Sequence, residues 1–157
     1  MDKKKVTVYM MIGLPGAGKD TWIKNHLPDT PCVSTDDIRE ELGIIKHGEK
    51  GFGSIEQEKK VTNIANQRIL EYVRNGQDVV INELNIKLFH RNIIKKVLSG
   101  FNVKWVYVMV EAPDLETNLI RRNGQVNPNV MRFLQLTQQK PTADEYDEII
   151  YDKQEKI

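Results

Sequence analysis

The strongest chemical signal in the sequence is one run, Gly13-Leu14-Pro15-Gly16-Ala17-Gly18-Lys19-Asp20-Thr21. It fits G-x-x-x-x-G-K, in which glycines let the backbone curl until several N–H groups point into one concavity. The apolar run Val6 to Ile12 predicts a buried strand in front of it. A helix predicted from Lys19 to about Leu27 would add its positive end to the same anion site. Lys19 is then placed to reach the terminal phosphates of a nucleotide. The next position departs from the motif, which asks for a hydroxyl that ligates Mg²⁺. Asp20 stands there instead. Its carboxylate is a hard oxygen ligand for a metal, and equally a favourable acid in a first helical turn. Thr21 keeps a hydroxyl one residue later, within reach of a phosphate.

A second group follows the next predicted strand: Ser34-Thr35-Asp36-Asp37-Ile38-Arg39. Ligands of an open parallel sheet bind at the carboxyl ends of its strands, so Asp36 shares a rim with the glycine loop. A carboxylate there can take the proton of an attacking hydroxyl. Arg39 lies one turn further on the same helix face, where it pairs with a substrate phosphate or orients Asp36. Ser or Thr followed by acids is also the signature of a helix cap. A third group, Asn82-Glu83-Leu84-Asn85, ends another predicted strand on that rim. Glu83 is placed there to approach a metal, as Asp20 is, or to hold Arg39. Arg121-Arg122-Asn123 closes a predicted helix. Cations are favoured at that end, and they can also neutralise charge on a transferring group.

Strands and helices must alternate to present these groups together. Strands are expected at Val6 to Ile12, Pro31 to Ser34, Asp78 to Ile81, Phe101 to Val110 and Tyr146 to Tyr151. Helices are expected at Lys19 to Leu27, Asp36 to Leu42, Ser54 to Asn75, Lys87 to Leu98, from Pro113 to about Arg122, and from Pro128. This order defines an α/β domain with a mainly parallel sheet and right-handed crossovers. Residues 43–54, with four glycines plus Lys46 and Lys50, read as a flexible, mildly basic loop. Cys32 reads as a core residue of its strand, and Lys87, Arg91, Lys95 and Lys96 as a solvated helix face. His26, His47 and His90 show no metal-ligand spacing.

Composition narrows the function classes. The 157 residues suit one domain spanning 1–157. Lys and Arg number 23 against 22 Asp and Glu, a formal charge of +1. That excludes a globally basic nucleic-acid binder but not a local basic groove, and it implies few phosphate contacts. The single cysteine excludes an internal disulfide framework and points to a reducing, cytoplasmic compartment. No apolar run approaches the ~20 residues of a membrane span. The charged start Met1-Asp2-Lys3-Lys4-Lys5 reads as a solvated lead-in to the first strand, not a signal peptide. The sequence leaves the oligomeric state open.

Taken in order, these groups resemble the AAA-type P-loop kinase family that includes the kinase domain of phage 5′-hydroxyl polynucleotide kinase. The closing run Pro141 to Ile150 adds to the resemblance, which covers nearly the whole chain. The resemblance implies a three-layer P-loop NTPase fold, adenylate-kinase-like. Its five-stranded parallel sheet would have the order 2-3-1-4-5, with a short helical lid at about 121–130. It implies ATP and Mg²⁺ as cofactors, bound by residues 13–21 and Arg122. It implies catalytic roles for Lys19 on the phosphates, Asp36 on the acceptor 5′-hydroxyl, Arg39 on the acceptor phosphate and Arg122 as first lid arginine. The acceptor would be the 5′-OH end of RNA or DNA, or a small hydroxyl substrate. Three departures stand out: Asp20, Glu83-Leu84-Asn85 after the third strand, and a short lid lacking a second arginine. Arg121 and Arg132 are the candidates to replace that arginine, and the chain has no room for an accompanying phosphatase domain. Two other readings remain. One is a small-molecule or (deoxy)nucleoside monophosphate kinase, since Gly18-Lys19-Asp20-Thr21 resembles the loop of a phage deoxynucleoside monophosphate kinase. The other is an ATP-binding regulatory module without kinase activity.

Overall fold

The computed structural model describes residues 4–155. Met1 to Lys3 of the charged lead-in lie outside that span. The chain runs β1 (Val6–Ile12), α1 (Lys19–His26), β2 (Cys32–Val33), α2 (Thr35–Glu41), α3 (Ile55–Arg74), β3 (Val79–Ile81) and α4 (Leu88–Val97). It continues through β4 (Val103–Glu111), α5 (Leu115–Arg121), α6 (Pro128–Thr137), a 3₁₀ turn (Ala143–Glu145) and β5 (Glu148–Lys153). The expected elements all form, with ends shifted by a few residues.

The five strands make one parallel sheet in the order β2-β3-β1-β4-β5. β1 is central, with Val8 opposite Val79 on one side and Val6 opposite Val103 on the other. Its side chains alternate between faces, as the two-residue strand period requires. Val6 and Val8 pack with the α3 stripe Val61, Ala65, Ile69 and Val73. Met11 faces the other way, onto Ala17 and Trp22. Both faces are covered, so the sheet is the middle of three layers; β1 and β3 are almost wholly apolar, while the edge strand β5 carries Glu148, Asp152 and Lys153. The α3 stripe recurs every four residues, one face of a helix. Ser54 and Gln57 start α3 with a reciprocal capping box.

Two expectations about buried residues fail. Cys32 is exposed, because β2 is a two-residue edge strand and only Val33 turns inward. Arg91 is fully buried, not part of a solvated face. It donates to both carboxylate oxygens of Glu145, at 2.8 and 3.5 Å, and to the Asn85 carbonyl at 2.9 Å. Lys95, on the same helix, donates to the Glu145 carbonyl and lies 5.5 Å from the Tyr107 ring centroid. The basic residues of α4 therefore clamp the 3₁₀ turn and, through Asn85, the segment that follows β3. Burial alone would raise the Glu145 carboxyl, but its bonds with Arg91 and Thr142 overcome that and hold it below the usual range.

Candidate active site

The carboxyl ends of the strands bring the glycine loop, the Ser34–Arg39 group and the Asn82–Asn85 group to one rim. The glycine loop connects β1 to α1. A Cβ on Gly13 would stand 2.6 Å from the Val110 carbonyl oxygen, so only glycine lets the chain leave β1 this close to β4. Gly16 has φ +75° and faces the Asn118 carbonyl at 2.5 Å from where a Cβ would be.

The loop's carbonyls are gripped from outside. Asn118 Nδ2 donates to Pro15 O at 2.9 Å. Arg121 donates to Gly16 O and Ala17 O at 3.1 and 3.2 Å, and Gln154 Nε2 donates to Ala17 O at 2.8 Å. Gln154 Oε1 also accepts from Arg121 at 2.6 Å. No side chain caps α1 at Gly18, so the N–H groups of its first turn remain available to an anion.

Two cations face this concavity. Lys19 Nζ donates to Gly13 O and Leu14 O at 2.8 and 3.0 Å. Burial pushes its ammonium down to about 8; Asp20 opposes that shift and Arg122 adds to it. Arg122 Nε is buried and has no hydrogen-bond partner. A buried charged donor without an acceptor is costly, and an anion beside the loop would satisfy it. The residues present therefore fit a nucleotide's phosphates. Next to the loop, on the β4–β5 side, lies a cleft of about 210 Å³. Ile12, Leu14, Met109 and Pro113 give it apolar walls, Asn118, Gln135 and Gln138 supply amides, and Glu111, Asp114 and Lys153 add charged groups.

On the β2–β3 side, Asp36 occupies the first turn of α2. Its Oδ1 accepts from Arg39 at 3.0 Å and its Oδ2 from Lys50 at 3.1 Å. Arg39 is itself buried and gripped by Glu58, which takes its Nε at 3.1 Å and its NH2 at 2.7 Å. The expected one-turn pairing of Asp36 and Arg39 is present, and most of the Arg39 fork is used within the chain. Glu83 accepts from the Thr35 amide at 2.6 Å and the Thr35 hydroxyl at 2.8 Å. It thus anchors the start of α2, and burial raises its carboxyl against the pull of those two bonds.

The Asn82–Asn85 segment joins both sides. Asn82 Nδ2 donates to Asp20 Oδ1 at 2.6 Å, and Leu84 O accepts from the Gly13 amide at 3.0 Å. Asn85, at φ +51°, donates to Met11 O at 2.8 Å. Asp20 is exposed, with one carboxylate oxygen engaged by Asn82. Among the described residues, no three His, Cys, Asp or Glu side chains are grouped to hold a metal ion. Mg²⁺ is commonly held by one or two carboxylates plus substrate phosphates, a donor set that Asp20 and a bound nucleotide could supply. After α5 the chain turns at Asn123 and Gly124, and Gln125 Nε2 reaches Gly48 O at 3.4 Å. Arg132 is exposed on α6.

Sequence reasoning missed Glu58, Asn118 and Gln154. None lies in a motif, and Gln154 reaches the loop from the far end of the chain. The sequence marks Lys50 only as loop charge, yet it reaches Asp36.

The chain belongs to the AAA domain family, whose model matches residues 8–144. Its fold is that of the P-loop kinases. A kinase-like protein of Chloroflexus aurantiacus superposes with TM-score 0.71 at 12% identity, covering 96% of this chain and 89% of that one. A fungal RNA kinase gives 0.61 at 16% identity, over 96% and 75%. A sugar kinase of a Janibacter species gives 0.63 at 15% identity, over 95% and 85%. At such identities the likeness is one of fold. Among the described residues, no helix is long and apolar enough to cross a membrane.

Proposed function

We propose that this chain is an ATP-dependent kinase that transfers the γ-phosphoryl group to a hydroxyl, with the 5′-OH end of RNA or DNA as acceptor. The observation that carries the reading is one rim with two complementary halves. One holds the unpartnered Arg122 Nε and Lys19 at the loop; the other holds a carboxylate, Asp36, oriented by Arg39. The acceptor oxygen attacks the γ-phosphorus while the bond to the β–γ bridging oxygen breaks. The hydroxyl proton passes to Asp36, and ADP leaves. Lys19, Arg122 and the amides of residues 13–20 stabilise charge on the transferring group. Mg²⁺, when bound, neutralises phosphate charge; Asp20 is the better placed of the two carboxylates to meet it, since both Glu83 oxygens bond Thr35. The cleft beside the loop takes the nucleoside of ATP, its apolar walls suiting a heterocycle and its amide and charged side chains the polar edges. Residues 121–130 act as the lid, within a single domain. A reducing, cytoplasmic setting suits the exposed, unpaired Cys32.

One observation favours the regulatory-module reading. Arg121 is committed to Gly16 O, Ala17 O and Gln154, so it is not free to serve as the second lid arginine. The test is transfer of labelled γ-phosphate from ATP with Mg²⁺ to 5′-OH RNA and DNA oligonucleotides, nucleosides, monophosphates and sugars. Asp36→Asn is assayed beside the wild type. Labelled 5′ ends that disappear in the variant are the expected result. Label on small acceptors alone moves the chain to a small-molecule kinase, and ATP binding without transfer supports the regulatory module.

A further inference from the structure

Phe52 is 78% exposed, yet it stands where the site is most tightly built. Its ring lies over the Arg39 guanidinium, 4.7 Å from carbon to centroid. That same guanidinium donates to Asp36 at 3.0 Å and to Glu58 at 2.7 Å. Glu58 also accepts the amide of Gly53, the next residue, at 2.9 Å. One carboxylate therefore fixes both the backbone beside Phe52 and the cation under its ring. At that exposure the ring's other face is open to solvent, and the cation beneath the ring is the one that pairs with Asp36.

Burial is what chiefly stabilises an apolar side chain, and at this exposure the ring's contact with Arg39 is worth only about 0.5–1 kcal/mol. We propose that Phe52 is a stacking platform for the terminal nucleobase of the acceptor, and so a specificity-determining residue. The inference rests on the kinase reading above. The chemistry of the surroundings selects this ligand. A 5′-terminal nucleotide offers a hydroxyl for Asp36, a base a few bonds away, and a phosphate on its 3′ side. Lys50, on Asp36, and the exposed Lys46 and Lys59 provide charge for that phosphate. Every base has a π face, so the platform favours an acceptor with a base over a plain sugar without choosing among bases.

The experiment compares wild type with Phe52→Ala, Phe52→Leu and Phe52→Trp on two 5′-OH oligonucleotides, one with a normal terminal base and one abasic at that position. Transfer from ATP is measured as KM and kcat. Binding is measured separately, without ATP, by quenching of a 5′-terminal 2-aminopurine. The expected result is an acceptor KM raised about 5-fold or more by Phe52→Ala on the normal oligonucleotide, the low end for one base–aromatic stack. Phe52→Leu should behave alike, Phe52→Trp should restore or improve KM, and the abasic oligonucleotide should barely distinguish the four proteins. Equal losses on both oligonucleotides, or rescue by leucine, would overturn the platform while leaving the kinase reading standing. Quenching that depends on Phe52, with no transfer to any oligonucleotide, would overturn the oligonucleotide acceptor and leave Phe52 a base-binding platform. Neither transfer nor quenching would overturn both.

Discussion

The two halves of the rim solve opposite electrostatic problems. Around the glycine loop, contacts are made mainly to backbone carbonyls, and the cations are under-partnered. Lys19 has two carbonyls for an ammonium depressed to about 8, and Arg122 Nε has no partner. On the other side Asp36 is tied into one chain of ion pairs with Arg39, Lys50 and Glu58. The first half is pre-organised for an anion and needs no exchange of partners to accept it. The second must give something up: a hydroxyl reaching Asp36 competes with Lys50 or Arg39. Nucleotide binding should therefore be insensitive to changes on the Asp36 side, and the reverse.

The sharpest break of this division is Asp36→Asn. Removing the base should lower kcat by about 10²–10⁴-fold, the usual range for general-base catalysis. The dissociation constant for ATP, measured by titration calorimetry, should stay within about twofold, since a factor of two is only about 0.4 kcal/mol on the ten-fold-per-1.4 scale. A large loss of ATP affinity would mean that the halves are not separable.

Next in size is the clamp behind both halves. Glu145→Gln leaves the Arg91 guanidinium buried without its counter-charge, and such changes cost about 3–5 kcal/mol. Urea unfolding should show this as a lower midpoint with an unchanged slope. The wild-type pair also sets an acid limit. The Glu145 carboxyl is held below its ordinary value in the folded chain, so its contribution is complete above the unfolded value. It is lost as pH falls through the lower, folded one. Glu145→Gln should remove that part of the acid sensitivity.

How much of this was legible in the sequence follows the same division. The loop half announces itself, because close approach to Val110 and positive φ can be met only by glycine at Gly13 and Gly16. Strand alternation and the α3 stripe likewise express geometric periods, and sheet order followed from the family resemblance. The Asp36–Arg39 pair was readable because it is local, three residues apart on one helix. Glu58, Gln154 and the Arg91–Glu145 pair were not. Their partners lie 19, 137 and 54 residues away, and nothing in local pattern separates a buried Arg91 from a solvated one. Cys32 was misplaced because the sequence does not say that β2 is a two-residue edge.

A smaller effect follows from Lys19. Its folded value of about 8 lies below the ordinary 10.5, so between them the unfolded chain binds more protons. This group's contribution to stability rises with pH across that window. ATP binding runs the other way. Bound phosphates favour the charged ammonium, so the complex should take up a proton, and affinity should fall above pH 8 by up to about tenfold per unit. Titration calorimetry at pH 8.5 in two buffers of different ionisation enthalpy counts that proton. Asp36→Asn should leave the count unchanged.

The smallest expected effect tests whether the loop is pre-organised from outside. Gln154 donates to Ala17 O and accepts from Arg121, which itself holds Gly16 O and Ala17 O. Gln154→Ala removes one direct bond to the loop and loosens the arginine that makes two more. A single hydrogen bond is worth about 1 kcal/mol, so ATP affinity should fall by about fivefold. Acceptor KM, measured at saturating ATP, should not move, because none of these contacts touches Asp36, Arg39 or Glu58. If acceptor KM rose in step with the ATP constant, the Asn82–Asn85 segment would be the connection. It bonds both sides, through Asn82 to Asp20 and through Glu83 to Thr35.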